Sequence, residues 1–190
     1  MDFDPDSVMP WAACGVFWAA LVLTAPNRVS DVHAVTIVVL SILSLNDVVA
    51  EVPRHIYSTM YFVVTCFQML HHRDWLKVSH HLISIFGMYI GLSERDGHWM
   101  NVKLSSRIML IEASTPLLHA YKATGSKTLG TLFAVSFVAL RCVYLGFLVT
   151  NVWDLTSLVW RFLAMQWTLN QIWTVQIIQK FIGPKKKDQE

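Results

Sequence analysis

Two groups of residues in this chain have the types and spacing to do chemistry. One is the adjacent pair His80 and His81 in Ser79-His80-His81-Leu82-Ile83-Ser84; the other is the acid of Glu112-Ala113-Ser114-Thr115-Pro116. A neutral imidazole can take a proton at neutral pH or attack an acyl thioester, and a nearby carboxylate can orient it or stabilise its cation. Consecutive helical residues point about 100° apart, so one histidine is expected to react and the other to position or support it. Glu112 sits in an apolar run, where a charge at mid-bilayer costs roughly 2.5 to 3.5 kcal/mol and needs partners or water. Pro116 has no amide hydrogen for the Glu112 carbonyl, so the helix is expected to kink there, with Ser114 and Thr115 re-satisfying the turn. The plainer alternatives are an acid that merely pairs with an arginine and histidines that only cap a polar cavity.

The elements that carry these residues are apolar. At 190 residues, 54% hydrophobic, with eight tryptophans and a mean hydropathy of +0.45, the chain reads as one multi-pass membrane domain, residues 1–190. A net charge of +2 is too small to imply nucleic acid. Cys14, Cys66 and Cys142 each lie in an apolar run without ligand spacing and read as free, buried thiols. The acidic start Met1-Asp2-Phe3-Asp4 lacks the basic region of a signal peptide, so the first helix is expected to be retained.

Seven candidate spans follow: 9–25, 33–49, 55–70, 76–92, 100–121, 128–150 and 155–182. Arg28, Arg73, Lys77, Lys122, Lys127, Lys180 and Lys185 to Lys187 fall on one side, and Arg54, Arg95 and Lys103 on the other. That bias predicts a cytosolic C-terminus and a luminal or outside N-terminus. The helical rise puts His80, His81, Gln166 and Asn170 toward the cytosolic end and Glu112 near the midplane. A second polar layer, toward the lumen, would hold Asn46, Asp47, Arg107, Arg141 and Arg161. Within it an ion pair is expected between Asp47 and either Arg141 or Arg107. Trp153, Trp160 and Trp167 recur every seven residues and read as a packing or lipid-facing stripe.

The ordered motifs His80-His81 with Ser84, Glu112-x-Ser-Thr-Pro116, Phe137-x-x-x-Arg141 and Asn170-x-x-Trp173 resemble the TLC family, the domain shared by TRAM, ceramide synthase Lag and CLN-eight proteins. The resemblance covers about the last two thirds of the chain. It implies an all-α transmembrane fold of about seven helices, a TLC-type helical barrel around a lipid-sized cavity, in the endoplasmic reticulum membrane. Residues 1–30 would be an extra N-terminal span, 31–182 the six-helix bundle and 183–190 a basic cytosolic tail. Ceramide synthases carry a histidine-aspartate-x-serine-aspartate element where this chain has Ile111-Glu112-Ala113-Ser114-Thr115-Pro116, and the aspartate that many relatives place before the histidines is missing near Thr65. The pattern is therefore closer to the smaller TLC-domain proteins.

By that resemblance His80 is the acyl-accepting nucleophile or base, with His81 and Glu112 completing a catalytic group, and Ser84, Arg141, Gln166 and Asn170 giving the cavity its polar end. The expected partners are membrane lipids and a fatty acyl-coenzyme A co-substrate, and a homo-oligomer is compatible with the chain. The leading expectation is acyl transfer to a lipid amine or alcohol, as in ceramide synthesis. The rival is a non-catalytic lipid-binding protein that senses or regulates membrane composition or trafficking. No metal is expected, because the histidines lack repeated His-x-x-His-His boxes; a haem held by two of them is the remaining alternative.

Overall fold

A computed structural model describes residues 8–49, 51–93, 99–151 and 158–182, and all its regular structure there is helical. The helices are α1 (Val8–Thr24), α2 (Val29–Leu45), α3 (Glu51–His71), α4 (Trp75–Ser93), α5 (Trp99–Met109), α6 (Thr115–Thr124), α7 (Lys127–Phe137), α8 (Leu145–Asn151) and α9 (Leu158–Ile182). Two junctions are not breaks. A 3₁₀ segment, Leu110–Ser114, joins α5 to α6, and a π segment, Val138–Tyr144, joins α7 to α8, so the described residues build seven rods. Arg95, the Trp99, Lys103 and Lys180 side chains, Trp153 and the tail 183–190 lie outside the described residues.

The rods end where the backbone chemistry says they should. Pro26 opens a short 3₁₀ turn ahead of α2. Arg73 (φ 56°) ends α3 in the left-handed conformation, and Asp74 then caps α4. Gly125, at φ 64°, ends α6 in that same conformation, and Ser126 accepts a hydrogen bond from the Leu129 amide to start α7. Asp47 (φ 59°) terminates α2 in the same way and is exposed.

α2 packs on α3, α3 on α4, α4 on α9, α9 on the rod containing α7 and α8, that rod on the one containing α5 and α6, and the latter back on α2. Six rods thus close a ring. α1 lies against α3, where Trp18 is fully buried and donates from Nε1 to the Tyr57 carbonyl at 2.9 Å. Small residues bring α2 and α5 together: Ser106 donates to Ser44 Oγ at 3.1 Å, and both are buried.

Polar side chains are buried while large apolar ones face out. His33, Arg54, His80, His81, Arg141 and Asn170 are each at most 7% exposed, whereas Phe67, Val135, Val143 and Phe147 exceed 50%. Two of the described helical stretches, Pro26–Leu45 and Lys127–Asn151, are long and apolar enough to cross a membrane by length and composition. The rods bearing the histidines and Glu112 are diluted by the polar residues that they point inward. Of the three free thiols only Cys66 is buried, and Trp160 and Trp167 pack inward, donating to the carbonyls of Val149 and Cys142.

Candidate functional site

At Pro116 the helix departs from α geometry. The chain tightens into the 3₁₀ segment before Pro116, and the Thr115 amide rather than residue 116 serves the Glu112 carbonyl. The Glu112 side chain, 12% exposed, thereby points between the rods. It meets Arg141 at 3.0 Å through Oε1 and accepts the Thr115 hydroxyl at 2.8 Å through Oε2.

Arg141 sits in the middle of the π segment, whose wider turn displaces it from a regular helix position. Its three nitrogens are all engaged. Nε donates to Ser114 Oγ, Nη1 to Asn170 Oδ1 and Nη2 to Thr115 Oγ1, each at 3.2 Å, with Nη2 also facing Glu112. The π turn is held from outside: Trp167 Nε1 donates to the Cys142 carbonyl at 2.9 Å, and a Cβ on Gly146 would meet that indole nitrogen at 3.1 Å. Arg141 therefore has Glu112 as its carboxylate partner and forms no pair with Asp47, which lies exposed at the end of α2. Of the two arginines expected to pair with Asp47, Arg141 is thus taken by Glu112.

The histidines divide as their 100° separation requires. His81, on the α3 side, contacts Thr65 Oγ1 at 3.0 Å and the Phe62 carbonyl at 3.3 Å through Nδ1. Thr65 gives its only hydroxyl hydrogen to the Tyr61 carbonyl at 2.7 Å, and a carbonyl only accepts. The hydrogen must be on His81 Nδ1, leaving Nε2 with the lone pair. Thr65 thus supplies the acceptor at the place where an aspartate was expected and is absent. His80 turns the other way, its Nδ1 accepting from Gln166 Nε2 at 2.8 Å, with Trp173 edge-on at 5.0 Å between ring centroids.

His80, Gln166, Glu112 and Ser84 line one cavity, whose empty space with its open mouth included is about 810 Å³. Its walls are mostly apolar: Phe62, Ile83, Met88, Ile108, Phe162 and Leu163. They come from α3, α4, α5 with its 3₁₀ extension, and α9, while the rod of α7 and α8 meets Glu112 through Arg141. His81, Arg141 and Asn170 are not among the lining residues. Asn170 supports Arg141 and donates from Nδ2 to the Gln166 carbonyl.

The expected hydrogen bond between Glu112 and His80 is not formed. Both border the cavity, but Arg141 and Thr115 hold the carboxylate, and Gln166 holds the imidazole.

Two buried groups escaped the sequence reading. Arg54, expected in a loop, is 1% exposed on α3 and donates from Nη2 to Ser105 Oγ at 2.8 Å and contacts His55 Nε2 at 3.1 Å. His33, at the start of the expected second span, stacks on Tyr61 at 3.7 Å between centroids and contacts Ser58 Oγ. Their only sequence signal was a polar residue within an apolar period. No family model, curated protein or solved structure matches the chain.

Proposed function

We infer that this is a multi-pass protein of an endoplasmic-reticulum-type membrane that binds a lipid chain and transfers an acyl group through His80, in the manner of TLC-domain proteins. The observation that carries this reading is the apolar cavity ending on His80, Gln166 and Glu112 in a bundle whose polar groups face inward. A charged or imidazole group at such depth is costly to keep without a use.

The chemistry runs from this chain's own atoms. With the Gln166 amide turned so that Oε1 accepts from His80 Nδ1–H, the Nε2 lone pair attacks the carbonyl carbon of an acyl thioester. The C–N bond forms as the C–S bond breaks and coenzyme A leaves as thiolate. A lipid amine or alcohol then attacks the acyl-imidazole, the new amide or ester bond forms as the imidazole leaves, and the acceptor's proton passes to the thiolate. Glu112, fixed by Arg141, places negative charge beside the cation that His80 carries while acylated. Arg73, Lys77 and Lys127 are exposed at one end of the bundle and suit the phosphates of the acyl donor arriving from the cytosol.

Incubating the purified protein with acyl-coenzyme A alone should add one acyl mass, and His80→Ala should not acquire it. Adding an amine acceptor should discharge the adduct as an amide. Turnover by His80→Ala equal to wild type overturns the catalytic reading. The engagement of Glu112 by Arg141 rather than by His80 favours a second reading, a non-catalytic lipid-binding protein. That reading is supported if a lipid co-purifies with both proteins and neither is acylated.

A further inference from the structure

Glycines inside rods usually mark a neighbour that needs the room, and two here do. A Cβ on Gly15 would come within 2.8 Å of Met60 Cε, and one on Gly146 within 3.1 Å of Trp167 Nε1. Gly87 is different. A Cβ there would meet one atom among the described residues within 4 Å, Phe162 Cβ at 3.7 Å, an ordinary contact distance. The backbone does not ask for glycine either, since Gly87 lies inside the regular helix α4 and the positive-φ glycine among the described residues is Gly125. Glycine within a helix is disfavoured against alanine. What the missing side chain leaves is open space, and that space belongs to the cavity, which Gly87 lines.

Gly87 stands two turns beyond His80 on the same face of α4, and Ser84 between them also lines the cavity. α9 runs the opposite way: Gln166 meets His80, and Phe162, one turn earlier, stands across from Gly87. Seven residues of unbroken α-helix separate His80 from Gly87, about 10 Å along the rod. An extended chain advances about 1.2 Å per bond, as the three backbone bonds of an extended residue do. With its hydroxyl at His80, hexanol therefore stops short of Gly87 and dodecanol passes it. We propose that Gly87 is the residue that determines chain length, its absent side chain keeping the cavity open beyond the second turn from His80 so that long apolar chains enter. This rests on the lipid-chain reading of the cavity and holds for acyl transfer and for binding alike.

The test is equilibrium binding of tritiated hexanol and tritiated dodecanol to the protein in lipid nanodiscs, corrected for empty nanodiscs. Each variant is compared with wild type for the same alcohol, so that partition into the bilayer cancels. Gly87→Leu should weaken dodecanol binding about tenfold or more, as overpacking a filled site does, and leave hexanol binding unchanged. Gly87→Val gives the same readout with a smaller side chain should the leucine variant not fold. Gly87→Ala should raise the thermal midpoint of the empty protein by about 1 to 4 °C, because alanine suits the helix and its methyl group has room. Equal weakening of both alcohols by the larger side chains, or weakening of neither, overturns the assignment of chain length to Gly87. A Gly87→Ala midpoint below wild type overturns it too, since packing would then require the glycine. Those results leave the lipid reading standing, whereas a wild-type protein that takes up neither alcohol overturns that reading and this inference with it.

Discussion

Glu112 and Arg141 face each other at 3.0 Å across two rods that both depart from α-helical geometry at that point, one tightened to 3₁₀ and the other widened to π. The pair is enclosed, at 12% and 7% side-chain exposure, and is held by Ser114, Thr115 and Asn170. Removing one partner leaves the other charge buried and unpaired, at a cost of about 3 to 5 kcal/mol. Arg141→Met should therefore lower the thermal midpoint in detergent strongly. Arg141→Met combined with Glu112→Leu should recover part of the loss, because the orphaned carboxylate is gone. A double variant less stable than the single one would show that the pair is not the dominant contact.

The π segment depends on a glycine. A methyl group on Gly146 would come within 3.1 Å of Trp167 Nε1, so Gly146→Ala should push the indole off the Cys142 carbonyl. Overpacking of this kind costs about 1 to 3 kcal/mol. The loss should appear in thermal melts together with a changed tryptophan emission, and Trp167→Phe should cancel most of the emission change. A Gly146→Ala protein with wild-type stability would mean that the indole has room to give.

The two histidines should carry their hydrogens on different nitrogens. His81 is fixed as the Nδ1–H form by Thr65 and Phe62, whereas His80 accepts at Nδ1 from Gln166. Nitrogen-15 spectra of labelled protein should resolve one neutral imidazole of each type, and Gln166→Glu should convert His80 alone to the Nδ1–H form. Identical tautomers for both in the wild type would contradict the hydrogen bonds as placed.

Asp74 begins α4, and the Lys77 side chain, hydrogen-bonded to it, holds its carboxyl below the usual range. A carboxyl depressed in the folded state stabilises above its unfolded pKa and loses that contribution as pH falls through the folded value. Asp74→Ala should thus cost about 1 kcal/mol at neutral pH, as helix-cap removals do. The gap between variant and wild type should close on acidification below about pH 4. An undiminished gap at pH 3 would leave the cap contribution unexplained by charge.

How much of this was legible in the chain follows from which signals are local. The rods were, because apolar runs and breakers are local: Trp75–Ser93 and Lys127–Asn151 lie within one residue of the runs 76–92 and 128–150. Pro116 announced the break beside Glu112, and Gln166 was expected at the cavity's polar end. The π segment left no trace, since Val138–Tyr144 contains neither proline nor glycine and its turn depends on a tryptophan twenty-five residues away. Arg141 was consequently expected, as one of two candidates beside Arg107, to pair with Asp47, because depth counted along straight helices places it a storey from Glu112. Arg54 was read as a loop cation for a similar reason: Glu51 and Pro53 surround it with loop-like residues, and only the packing of α3 against α5 buries it.

The closure of the ring by α2 against the fifth rod has a consequence for synthesis. The chain emerges from the ribosome in order, so α2, α3 and α4 are made before the three rods that link α4 back to α2. Until then His33, Arg54, His80 and His81 lie on an open palisade of three helices, while Arg141, Gln166 and Asn170 have yet to be translated. In a bilayer such a half-built intermediate would present its costliest side chains to hydrocarbon. On the membrane reading proposed above, insertion should therefore stall at that stage unless an assembly factor or a wet groove shelters those faces until the later helices arrive.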